Sequence, residues 1–111
     1  MKRDYKLYLQ DMKDCITQIE EYTKGLSEEG FKKDKLVQDA VIRRFEIIGE
    51  ASRNIPTTLK VKNKEVPWFE FAQFRNLVTH MYFEASLDKI WKTVKGRLPK
   101  LKESLNNITL I

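Results

Sequence analysis

Apolar residues recur every three or four positions along most of this chain, the interval of an amphipathic helix. From about residue 4 to residue 25, Tyr5, Leu9, Met12, Ile16 and Ile19 step by four and three, which lines them along one helical face. Asp4 is placed to cap this first helix and Gly25 to close it. The heptad-like spacing suits core packing within the chain or a subunit interface, and the pattern leaves both open. Ser27-Glu28-Glu29-Gly30 reads as a turn, followed by a second helix from about Asp34 to Asn54. Leu36, Val37, Ala40, Val41, Phe45, Ile47, Ile48 and Ala51, with Ile55 just beyond, form too broad a set for one stripe. That breadth predicts the central core helix. Gly49 within it costs on the order of 1 kcal/mol relative to alanine, which a close helix–helix contact would offset. Pro56 ends the helix.

Thr57 to Val66 is a polar connection dotted with Lys60, Lys62 and Lys64, with room for a helical turn, and is expected to be the most mobile part of the domain. Pro67 then opens a third helix, expected from about Trp68 to Tyr82. At roughly 100° per residue, Phe74, Leu77, Val78 and Met81 cluster on its core face. Arg75, Thr79 and Tyr82 lie side by side on the other half, with Asn76 and His80 beside them. A last helical segment runs from about Leu87 to Asn106, capped by Ser86. Leu87, Ile90, Trp91, Val94, Leu98, Leu101 and Leu105 point inward, and Pro99 is expected to kink or split it. Lys89, Lys92, Lys95, Lys100 and Lys102 fall outward, as a solvated face or a track for a phosphate backbone. The pattern predicts one all-α domain over residues 1–111.

Composition sharpens this reading at a few points. With 41% hydrophobic and 33% charged residues, the chain belongs with globular rather than disordered sequences. Cys15 is the sole cysteine, so an internal disulfide and a multi-cysteine zinc site are excluded. No apolar run approaches the ~18 residues of a membrane span and no secretory leader is evident, so a cytoplasmic, membrane-free protein is expected. A net charge of +5 and a pI of about 9.3 suit a polyanionic partner such as RNA, although a lysine-rich surface is common without one. Glu46 and Glu50 stand four apart on one helix face. Without a histidine or aspartate ladder nearby, they are expected to pair with lysine or arginine rather than to bind metal.

The chemistry-bearing residues concentrate in Arg75-Asn76-Leu77-Val78-Thr79-His80-Met81-Tyr82, which holds the only histidine of the chain. Histidine can donate or accept a proton near neutral pH, and arginine offers a permanently charged fork that matches phosphate. Cleavage of an RNA phosphodiester needs those two functions: proton transfer at the 2′-hydroxyl or the leaving oxygen, and stabilisation of a pentacoordinate anion. The 2′-hydroxyl is the internal nucleophile, so the reaction demands no metal, cofactor or protein nucleophile. Arg75 and His80 lie about 140° apart around an ideal helix. Two copies facing each other across a two-fold axis would bring both kinds of group around one cleft.

Arg75-Asn76, His80 and Tyr82 follow a pattern of arginine, four residues, histidine, any residue, tyrosine. Asp39-Ala40-Val41, Ile48-Gly49-Glu50-Ala51, Pro67-Trp68, Trp91 and Leu98-Pro99-Lys100-Leu101 accompany it in order. With these residues the chain resembles the HepT-like toxins, HEPN-domain proteins of minimal-nucleotidyltransferase toxin–antitoxin pairs, from the second helix to the end. The resemblance implies an up-and-down bundle of four to five helices that forms a homodimer, with the motif helices meeting in a cleft. It implies the toxin of a type II/VII-like pair, a metal-independent endoribonuclease acting on tRNA or mRNA without a cofactor. Arg75 and His80 would be catalytic, with Asn76 and Thr79 supporting the site. Tyr82 matches the tyrosine that a cognate nucleotidyltransferase antitoxin modifies with AMP, adding bulk and negative charge beside the phosphate-binding groups. Gln73 stands where relatives often carry glycine, and Met81 where a polar residue is common. HEPN-type bundles also serve as non-catalytic nucleotide-binding or accessory partners of nucleotidyltransferases, the alternative that the resemblance leaves open.

Overall fold

A computed structural model describes residues 3–79 and 84–111 of the protein, and the regular elements among them are all helical. In chain order they are α1 (Tyr5–Thr23), α2 (Glu28–Lys33), α3 (Lys35–Arg53), α4 (Thr57–Lys62), α5 (Trp68–Thr79), α6 (Glu84–Lys92) and α7 (Leu98–Asn106), with a π-helical turn, Thr93–Arg97, joining the last two. The all-α expectation holds, and α1, α3, α5 and the α6–α7 segment are the four long elements that periodicity predicts. Two short helices, α2 and α4, add to them.

The helix ends follow their local chemistry. The Asp4 carboxylate accepts from the main-chain N–H of Lys6 at 2.9 Å, and Gly25 takes the left-handed φ of 79° just past α1. Ser27-Glu28-Glu29-Gly30, expected as a turn, is instead the capped start of α2, with Ser27 Oγ accepting from Gly30 N at 3.0 Å. The fully buried Phe31 explains why this helix forms: its ring meets Trp91 of α6 at 5.3 Å, and the burial outweighs a weak local preference. Asp34 closes α2 and caps α3 in turn, accepting from Val37 N.

Helix α3 is the axis of the fold, packed between α1 and α5, while α7 covers α1 and α2 bridges α3 to α6. Met12, Ile16, Ile19, Phe45, Ile48 and Phe71 are fully buried around it. Leu36 belongs to the predicted apolar set yet is 80% exposed, because it lies in the first turn of α3 with no helix over it. Cys15 is buried in the same core, and burial pushes its thiol pKa up, so it behaves as a small apolar side chain.

Two further expectations are corrected. Helix α6 begins at Glu84, so Ser86 lies inside it rather than at its cap. The Thr57–Val66 connection is more tightly held than its polarity suggests, with Leu59 and Val66 buried and Asn63 fully enclosed. Pro99 divides the last segment as predicted. Its ring would clash with the carbonyl of Lys95 in a continuous α-helix, and the ladder widens to a π turn there. Pro99 then occupies the first turn of α7, where its missing N–H leaves no bond unmade. None of the described helices is long and apolar enough to cross a membrane.

Candidate active site

The site begins with a glycine. A Cβ placed on Gly49 would come within 3.0 Å of the main-chain nitrogen of Arg75 and 3.2 Å of its Cβ. The absence of a side chain therefore lets α5 lie directly on α3 where Arg75 branches off, the close contact that the mid-helix glycine predicts. One turn deeper, the rings of Phe45 and Phe74 meet edge to face at 4.8 Å and lock the two helices in register. Phe71, Phe74 and Val78 are buried and Leu77 is partly buried. Arg75 and Asn76 emerge on the exposed side of the same helix.

Arg75 is held from α3. Its Nη1 lies 3.1 Å from Oε1 of Glu50, the residue after the contacting glycine. About half of each side chain remains exposed, 48% for Arg75 and 51% for Glu50, so the guanidinium is oriented and still open to solvent. The second carboxylate of the predicted pair, Glu46, bonds Arg43 on its own helix. Both thus pair with arginine as expected, and the pair is not a joint carboxylate site. Sequence predicts a basic partner for Glu50 without saying which. The signal that could have identified it is the adjacent Gly49, which marks where another helix comes closest.

Asn76 donates from its side-chain amide to Oε1 of Gln73 at 3.0 Å, within α5. Gln73 thus fixes Asn76 along the exposed face. Thr79 is the last residue of α5. His80 and Tyr82, expected as catalytic residue and modification target, lie outside the described residues, as does Met81. At the other end of the helix, Glu70 accepts two bonds from Arg97, from Nε at 2.8 Å and Nη2 at 2.6 Å. This fork ties the start of α5 to the π turn, and the hydrogen bond from Arg97 holds the Glu70 carboxyl below its ordinary pKa.

Lys89, Lys92, Lys95 and Lys100 are exposed along the last segment. Lys95 lies over the ring of Trp91 at 4.8 Å, and Lys102 binds Glu20 of α1 at 2.8 Å. Those two lysines therefore do structural work, which weakens the reading of the row as a uniform phosphate track.

A family model described as ribonuclease HepT-like matches residues 12–108 of this chain. The chain is 48% identical over 102 residues to a Thermococcus cleftensis protein named a probable ribonuclease HepT, an overlap covering 92% of this chain and 93% of the relative. It is 45% identical over 108 residues to a Methanocaldococcus jannaschii protein that carries a gamma-glutamylcyclotransferase name beside a provisional RNase name. That overlap takes in 97% of this chain but 49% of the relative, so the chain spans about half of that protein. Another protein of the same organism, provisionally named an RNase, is 39% identical over 104 residues, covering 94% of this chain and 95% of its own length. No solved structure matches the chain.

Proposed function

Because the chain belongs to the HepT-like ribonuclease family, we propose that it is the toxin of a toxin–antitoxin pair and cuts RNA as a metal-independent endoribonuclease. The observation that carries this reading is Arg75, a half-exposed guanidinium rooted at the α3–α5 contact and oriented by Glu50. A phosphate group needs such a fork, held in place before the substrate arrives. In the proposed reaction the 2′-hydroxyl oxygen attacks the adjacent phosphorus, and His80 takes its proton. Arg75 stabilises the negative charge that gathers on the equatorial oxygens. The bond to the 5′-oxygen breaks, that oxygen is protonated, and the products are a 2′,3′-cyclic phosphate and a 5′-hydroxyl. Asn76 and Thr79 support this strip, and tRNA or mRNA is the substrate class.

The reading includes a homodimer. On an ideal helix an arginine and a histidine five residues apart would stand about 140° from each other, and such a pair serves a common cleft best when a second copy supplies the complementary group. It also includes silencing by a cognate nucleotidyltransferase, with the Tyr82 hydroxyl attacking the α-phosphorus of ATP and releasing pyrophosphate. The attached AMP would add negative charge where an RNA phosphate must bind.

The decisive test incubates purified, unmodified protein with total RNA in the presence of a chelator. Wild type should cut, while Arg75→Ala and His80→Ala should each lose at least about 100-fold in rate. Equal RNA survival with wild type and His80→Ala would sink the ribonuclease reading. Sedimentation of the same sample should give twice the chain mass. Co-expression with the partner nucleotidyltransferase should raise the intact mass by AMP units in wild type and leave Tyr82→Phe unchanged.

A further inference from the structure

A hollow opens between the first turns of α1, the last turn of α3 and the Pro56–Thr57 step. Its walls include Arg3, Asp4, Tyr5, Tyr8, Arg53 and Asn54. Arg3 lies over the ring of Tyr8, 4.6 Å from its centroid, and is fixed there by Asp11 at 2.9 Å. The two form a cation–π contact whose charge Asp11 already offsets. The Asp4 carboxylate is engaged in capping α1, and the Tyr5 hydroxyl donates to the Ile111 carbonyl, so that residue offers its ring. Arg53 is the exception: it is exposed and has no carboxylate partner among the described residues.

The hollow lies at the C-terminal end of α3, past the turn that carries Glu50. The Asn54 amide donates to the main-chain carbonyl of Glu50 at 3.0 Å, and the Glu50 carboxylate holds Arg75. Four residues of α-helix rise about 6 Å, so this wall begins one turn from the partner of Arg75. Arg53 stands four residues after Gly49, at the end of α3. A planar stacking surface beside an uncompensated guanidinium is the chemistry that takes a nucleotide: the plane receives the base and the fork receives a phosphate.

We propose that this hollow is a subsite for a nucleotide of single-stranded RNA. Arg53 binds the phosphate, and the base lies against the Arg3–Tyr8 pair. That the RNA held here is a substrate rests on the ribonuclease reading; the binding chemistry does not.

The test uses the full chain and a short labelled 2′-O-methyl oligoribonucleotide, which has no free 2′-hydroxyl and is not cut. Anisotropy titrations compare wild type with Arg53→Glu and with Tyr8→Leu, which keeps apolar bulk but removes the aromatic plane. Each variant should bind about tenfold more weakly, and Arg53→Gln should lower the salt slope by about one. Either variant binding within about twofold of wild type overturns the subsite. So does an oligomer that wild type fails to bind, and so does displacement by AMP at an equal nucleotide concentration, which would assign the hollow to free nucleotide. Cleavage of unmodified RNA is read in parallel. Wild type that binds through Arg53 but cuts nothing supports the subsite and removes the ribonuclease reading. Wild type that cuts while Arg53→Glu binds normally removes the subsite alone.

Discussion

Glu50 and Arg75 form an ion pair that decides orientation more than stability. Half-exposed pairs of this kind contribute little, so Glu50→Gln should change unfolding free energy by less than about 1 kcal/mol. Its kinetic effect should be larger. The guanidinium would keep its charge and lose the carboxylate that helps to direct it, and on the proposed reaction kcat should fall about tenfold while KM stays level or drops. Steady-state cleavage of a short RNA checks this, and a raised KM with unchanged kcat would show that Glu50 does not position Arg75. This residue pair also shows how far sequence reached. The requirement of Glu50 for a cationic partner is local chemistry and was legible. Its choice of Arg75, 25 positions away, depends on which helix lies against Gly49.

Between elements, the α3–α5 contact is the mechanically sensitive joint. Gly49→Ala would gain about 1 kcal/mol of helix propensity and lose about 1–3 kcal/mol by overpacking, since the atoms it meets are the backbone and Cβ of Arg75 and not the far end of a flexible side chain. The net stability change should be modest, whereas displacement of Arg75 should cost at least about tenfold in activity, against a melting temperature shifted by a few degrees. A variant with full activity would mean that α5 can shift freely. The Glu70–Arg97 fork acts at the other end of α5 and carries a pH signature. Its hydrogen bond lowers the Glu70 pKa in the folded state below the ordinary value of 4.5. Its contribution is therefore complete above about pH 4.5 and disappears as pH falls through the lowered value. Urea unfolding of wild type and Glu70→Gln should differ at pH 7, with the gap closing in more acidic solution. The short helix α2 escaped the sequence reading for a related reason: six residues carry too little periodicity, and α2 exists because Phe31 has a site waiting on Trp91.

At the scale of the whole molecule, Asn63 joins segments 46 residues apart. It is 1% exposed and uses both ends of its amide. Nδ2 donates to the carbonyls of Leu59 and Thr109 at 3.0 and 2.8 Å, and Oδ1 accepts from Thr109 N at 2.8 Å. Its own carbonyl receives the Trp68 indole N–H at 3.0 Å. Asn63→Ala would leave the polar groups of Thr109 and Leu59 without these partners, and should cost about 1–3 kcal/mol, visible as a fall in Tm of several degrees. An unchanged melt would mean that water replaces the clamp without loss. Nothing in the local sequence marks Asn63, because a buried clamp is defined by what surrounds it and not by its neighbours in the chain.

The sequence by itself determined the helical class, the four long elements, the cap at Asp4, the break at Pro99 and the exposed strip that bears Arg75 and Asn76. These follow from periodicity, proline geometry and side-chain hydrogen bonding, which act over one or two helical turns. Only the tertiary structure decided that Gly49 backs Arg75, that Glu50 orients it, that Asn63 fastens the C-terminal segment and that Arg53 joins Tyr8 in a common hollow. Those facts depend on which helices meet and in what register. Summed burial along α3 sets that register, and no single stretch of chain carries the information alone.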